Sequence, residues 1–162
     1  MSQQPLFPEH QRIVNVASVP QRSPFRYPGG KTWLVPRIRQ WLLSRTPRPS
    51  EFVEPFAGGG IVSLTVAFEE LADRVTMVEL DEHLAAVWQT ILEEPNGATQ
   101  LAKRIESFDL SLERVRQTLD SEPRTRLDKA FRTIIKNRVN RGGILAPGAS
   151  LIKVGENVAT CA

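Results

Sequence analysis

The sequence predicts an α/β fold, a parallel sheet covered by helices, and three observations predict it. Short apolar runs alternate with stretches of helical period over residues 51–94, in the order strand, helix, strand, helix. Three glycines, Gly58-Gly59-Gly60, separate the first apolar run from its helix. An acid, Glu79, closes the second run 19 residues after Gly60.

Residues 1–24 are polar and punctuated by Pro5, Pro8, Pro20 and Pro24, which reads as a flexible N-terminal arm with a short extended piece at 13–16. Arg26-Tyr27-Pro28-Gly29-Gly30-Lys31-Thr32 is a turn, because Pro-Gly-Gly fits neither a helix interior nor a central strand. A helix follows to about Arg45: Thr32 is its expected cap, Pro36 falls in its first turns, and Leu34, Ile38, Trp41 and Leu42 recur at helical spacing. The run Glu51–Phe56 is the first strand and Ile61–Ala72 the next helix. Arg74–Glu79 is the second strand. Asp81–Glu94 is a helix whose Leu84, Val87, Trp88, Ile91 and Leu92 form one stripe. From Ala98 to Val139 the pattern is helical throughout, and Asn140–Ala162 reads as glycine-containing loop.

Composition bounds the function. With 162 residues, 41% hydrophobic and 24% charged, the chain has room for one domain with a real core. No apolar run approaches the ~18 residues that span a bilayer, and the Met1–Pro5 start has no charged n-region before an apolar stretch. The lone cysteine, Cys161, forms no internal disulfide, so a reducing, cytoplasmic setting is expected and Cys161 itself reads as incidental. The net charge of +3 hides an asymmetry: residues 1–50 hold eight Lys/Arg against one acid, residues 51–100 one against ten, and residues 101–162 twelve against seven. Two basic segments around an acidic one suit a nucleic-acid partner, and they suit solvated helix faces equally well. His10 and His83 have no neighbours that suggest a metal site, and no metal is expected.

The glycine run lets the backbone approach a bound molecule where a Cβ would collide, and the following helix start points N–H groups at it. Glycines that serve only a tight turn remain the alternative for this feature alone. The spacing is not the GxGxxG of dinucleotide sites, which disfavours an oxidoreductase. An acid on the tip of the adjacent strand accepts hydrogen bonds from two ribose hydroxyls at once. Together the two features predict a nucleoside-containing ligand at the C-terminal edge of the strands, with Asp81 and Glu82 serving the following helix start. Lys31, presented by a Gly-Gly turn, is a weaker sign, since an exposed helix-start lysine has the same surroundings.

Arg26-Tyr27-Pro28-Gly29-Gly30-Lys31, then Phe52–Gly60, then Met77-Val78-Glu79-Leu80-Asp81, and finally Lys136-Asn137-Arg138 with Gly142-Gly143, resemble in order and spacing the Dam-type adenine-specific DNA methyltransferases, over roughly residues 24–157. The resemblance implies an S-adenosylmethionine-dependent enzyme that methylates adenine N6 in double-stranded DNA. It implies a Rossmann-like sheet over 25–97 and a helical DNA-recognition insertion beginning in 98–162. By resemblance Tyr27 offers an aromatic face to the sulfonium of the donor, Lys31 contacts the donor, Phe56, Gly58 and Gly60 form the donor loop, and Glu79 takes the ribose. The basic stretch with Arg124, Arg126, Lys129, Arg132, Lys136, Arg138 and Arg141 resembles the start of the DNA-recognition part, with Arg132, Lys136, Asn137, Arg138 and Arg141 as expected DNA contacts, mainly to phosphates. Cellular, phage and restriction–modification settings all fit the family.

The tetrapeptide Asp-Pro-Pro-Tyr, which in that family holds the flipped adenine, is absent: the sequence has no Pro-Pro, Asp-Pro or Asn-Pro. No catalytic residue is therefore assigned. The chain is expected to be an N-terminal fragment with an incomplete sheet, an exposed sheet edge and marginal stability, inactive unless a C-terminal half complements it. The other expectation is a non-catalytic nucleic-acid-binding protein.

Overall fold

The computed structural model describes residues 16–26, 30–146 and 148–152. Helix α1 spans Val35–Leu43, strand β1 Phe52–Pro55, α2 Ile61–Phe68, β2 Val75–Val78, α3 Glu82–Leu92, α4 Gly97–Glu106, α5 Leu112–Asp120 and α6 Arg126–Val139. Strands β1 and β2 pair in parallel, Phe52 opposite Val75 and Pro55 opposite Val78. Helix α2 makes the crossover between them, as a parallel pair requires. Among the described residues this is a two-stranded sheet, so the outer edge of each strand is unpaired.

Each boundary has a local cause. Thr32 does not cap α1: it lies inside a 3-10 turn over Lys31–Leu34 that runs straight into the helix, and Pro36 sits in the first helical turn where its missing N–H costs nothing. Helix α2 ends at Phe68, not Ala72, because Glu70 adopts φ +51° and closes a Schellman turn. In it the Leu71 N–H donates to Val66 O (3.0 Å) and the Glu70 N–H to Ala67 O (3.2 Å), with Leu71 and Val66 in one buried cluster. Asp81 caps α3, accepting from the N–H groups of His83 (2.8 Å) and Leu84 (3.2 Å).

The stretch expected to be helical from Ala98 to Val139 is three helices. Ser111 caps α5, and Thr125 with Asp128 forms a capping box on α6; these side chains compete for backbone N–H groups and restart the helix at each point. The tail expected as loop contains a 3-10 turn over Arg141–Gly143 and an antiparallel bridge from Asn140 to Leu151. Of the expected N-terminal arm, residues 16–24 touch the domain at points: Val16–Ser18 is an exposed 3-10 turn, Val19 is buried and Arg22 meets Glu69 at 3.4 Å. Residues 1–15, including His10 and most of the expected extended piece, and residues 153–162 with Cys161 lie outside the described residues.

Two apolar clusters hold these elements. One joins α1 and α2 to one face of the sheet through Val35, Leu42, Val62 and Val66, with Phe52 and Val75 against it. The other fills the space between α3, α4, α5 and α6 with Leu84, Val87, Trp88, Leu101, Val115, Phe131 and Ile134, and takes in Phe25. Among the described residues no helix is long and apolar enough to cross a membrane.

Candidate functional site

A cavity of about 660 Å³ opens at the C-terminal ends of β1 and β2, where the two clusters meet. Its walls come from three places: the segment before α1 (Ser23, Phe25, Arg26, Gly30, Lys31), the loop from Pro55 to Ile61, and Glu79 just beyond β2. The structure thus brings Lys31, Phe56, Gly58, Gly60 and Glu79 to one site. Tyr27 lies outside the described residues.

The loop is held in a conformation that ordinary residues resist. Phe56 has φ +57° and is 76% exposed, an unusual state for an aromatic residue, and the backbone conformation costs about 1–3 kcal/mol. Gly60 sits at φ +67° as the cap residue of α2, and a Cβ there would lie 2.6 Å from Met77 Cε and 2.8 Å from Trp88 Cζ2. Side chains beneath the loop fix its carbonyls. The Trp88 Nε1–H donates to Gly58 O (2.9 Å), and Ser23 Oγ donates to Gly59 O. Phe25 packs edge-on against Trp88, with ring centroids 5.6 Å apart.

Glu79 closes the other side. Its Oε2 accepts from the Gly58 N–H (2.6 Å) and its Oε1 from the Asp81 N–H (2.9 Å). Each oxygen keeps a further lone pair, so the half-buried carboxylate remains able to accept from hydroxyl groups in the cavity. Lys31 is ion-paired with Glu54 and donates to Phe56 O (2.7 Å), which leaves one ammonium proton for the cavity. Glu54 is buried in β1 and accepts from the Ser63 N–H (2.9 Å) and Ser63 Oγ (2.5 Å) at the start of α2. One carboxylate therefore ties the lysine, the strand and the first turn of the helix together. Among the described residues no group of three or more His, Cys, Asp or Glu is placed to hold a metal ion.

The residues expected to meet DNA divide. Arg132 and Lys136 share a separate hollow of about 220 Å³ with Arg116, but each already donates to a carbonyl, Arg132 to Leu119 O (3.0 Å) and Lys136 to Leu145 O (2.6 Å). Arg138 donates to Pro24 O (2.9 Å). Asn137 is buried, and its amide bonds run to backbone within the molecule. Arg124 and Arg141 are exposed. Helix α6 thus sends part of its polar surface inward.

Sequence reasoning missed Ser23, Glu54, Ser63 and Trp88. Only Glu54 carried a signal, an acid in the middle of an apolar strand run; Trp88 fitted the apolar stripe of its helix, and its N–H partner was invisible. The family model described as D12 class N6 adenine-specific DNA methyltransferase matches residues 27–124, which includes the cavity loop and Glu79 and stops before α6. No curated protein and no solved structure matches the chain.

Proposed function

The chain belongs to the D12 class of N6 adenine-specific DNA methyltransferases, and on that premise we propose that its cavity binds S-adenosylmethionine. The observation that carries this reading is the contact between Glu79 and the Gly58 N–H, which sets a carboxylate with free lone pairs beside a loop without side chains. The residues present suit the donor's chemistry. Glu79 accepts from the ribose hydroxyls, the loop backbone from Gly58 to Gly60 lies along the nucleoside, and the exposed Phe56 ring offers an apolar face. Lys31 provides a donor proton for a carboxylate, its charge balanced by Glu54. When bound, the donor supplies an electrophilic methyl group for adenine N6.

In this reading residues 25–97 are a Rossmann-like donor-binding part and residues 98–162 begin the DNA-facing part, a cytoplasmic arrangement with double-stranded DNA as partner. Arg141, Arg124 and the hollow lined by Arg116, Arg132 and Lys136 supply phosphate contacts, with Arg138 a further expected contact. The Asp-Pro-Pro-Tyr tetrapeptide that by resemblance to the family holds the adenine amino group is absent from the sequence. We assign that role to a complementing C-terminal half that pairs with the open sheet.

Titration with S-adenosylmethionine tests the proposal through the intrinsic fluorescence of Trp33, Trp41 and Trp88, the last with its indole bonded to the glycine loop. Saturable quenching is expected, weakened roughly tenfold to hundredfold in Glu79→Ala, the range for hydrogen bonds to a charged group. No saturable response, or one that Glu79→Ala leaves intact, overturns it. The second reading, a DNA-binding protein without a donor, rests on the basic hollow and predicts salt-sensitive duplex binding with no response to S-adenosylmethionine.

A further inference from the structure

Asn137 stands in the sequence among basic residues, and its position on α6 suggests a contact to DNA. The structure turns it the other way. It is 1% exposed, and its amide grips the backbone of Arg26 from both sides: Oδ1 accepts from the Arg26 N–H (2.9 Å) while Nδ2 donates to Arg26 O (2.8 Å). Nδ2 also donates to Gly143 O (2.7 Å), so both amide protons and the amide oxygen are engaged. Gly143, at φ +70°, lies close to the same carbonyl; a Cβ there would lie 2.3 Å from Arg26 O. Arg138 adds a bond to Pro24 O.

The gripped segment is a wall of the cavity. Phe25 and Arg26 line it, Ser23 bonds to the glycine loop, and Lys31 follows a few residues on. Resting on the donor reading above, we infer that Asn137 is a positioning residue for the methyl donor. It touches neither donor nor DNA, and it fixes Phe25 and Arg26 at the distance the donor requires. A side chain with one acceptor and two donors is needed because a backbone N–H and two carbonyls converge on one buried point.

The test compares affinities for S-adenosylmethionine and for a DNA duplex in the full chain, with Ile135→Val as a core control that lowers the melting temperature from the same helix. Asn137→Ala is expected to weaken donor binding roughly tenfold or more, given three lost hydrogen bonds, while duplex affinity stays unchanged. Gly143→Ala, whose added Cβ would collide with Arg26 O, is expected to do the same. Ile135→Val is expected to change neither affinity, so a loss through stability alone is told apart. Unchanged donor affinity in either Asn137→Ala or Gly143→Ala, or a loss confined to the duplex, overturns the inference. If Asn137→Ala fails to fold, Gly143→Ala decides. A wild-type chain that ignores S-adenosylmethionine sinks the donor reading itself, an outcome distinct from all of these.

Discussion

Phe131 on α6 and Val53 on β1 are both apolar, but Phe131 is 3% exposed and Val53 50%. The difference follows from what each element meets. Helix α6 is wrapped by α3, α4 and α5, and the Phe131 ring stacks edge-on against Phe108 with the Arg104 guanidinium over it at 4.4 Å. The sheet is covered on the face that carries Phe52, Glu54, Val75 and Met77; among the described residues the opposite face, with Val53, Pro55 and Val78, meets no helix. One region is closed around its own core and the other is open on a face and two edges. The cavity lies on the seam, where Trp88 and Phe25 from the closed side support a loop that issues from the open side.

This comparison is broken most directly by truncating the two residues in turn. Phe131→Ala is expected to lower unfolding stability by about 3–5 kcal/mol, and Val53→Ala to stay within about 0.5 kcal/mol, both read by denaturant unfolding. Similar losses at the two positions would mean that the open face is covered in solution.

A loss between those two is expected at the seam. Gly60→Ala places a Cβ against Met77 and Trp88 at a left-handed backbone position. Strain of about 1–2 kcal/mol and crowding of about 1–3 kcal/mol together predict a loss of roughly 2–5 kcal/mol, with affinity for S-adenosylmethionine falling in step. Stability lost without a change in donor affinity would separate the loop from the cavity.

The seam also marks how far the sequence could be read. The strand–glycine–helix order and the distance from Gly60 to Glu79 are local or nearly so, and the loop and acid do meet. What escaped reading are contacts made to backbone from far along the chain: Trp88 to Gly58 O, Ser23 to Gly59 O, Asn137 to Arg26. A carbonyl acceptor has no residue type, so no pattern announces it. The charge asymmetry was visible, but its resolution was not. Arg22 and Arg39 pair with Glu69, Arg48 with Asp73, Arg126 with Glu94 and Lys129 with Glu82, so part of the basic flanks neutralises the acidic middle inside one molecule. Such pairs range from half-buried to exposed and add little stability, but they remove cations from the supply available to DNA.

Acid titration sharpens the comparison at its smallest scale. In the closed region Asp128 accepts from Arg104 (2.7 Å) and from Thr125, and these bonds hold its carboxyl down at about 2. Its pKa is lower in the folded chain than in the unfolded one, near 3.9, so its contribution is fully present above about pH 4 and disappears as the pH falls through 2. The side chain is 30% exposed, and a capping contact of this kind contributes about 1 kcal/mol. On the flank of the open region Glu69 is held below the usual carboxylate range by its hydrogen bond from Arg39, so it loses stability in the same direction. Denaturant unfolding at pH 5 and pH 2 is therefore expected to show Asp128→Asn less stable than the wild type at pH 5 and nearly equal to it at pH 2. A gap between the two proteins that persists at pH 2 would place the stabilisation in the neutral capping geometry and not in the charge. Glu69→Gln gives the matching measurement on the sheet side, where the paired arginine comes from α1 and the readout reports how firmly that helix is fixed to α2.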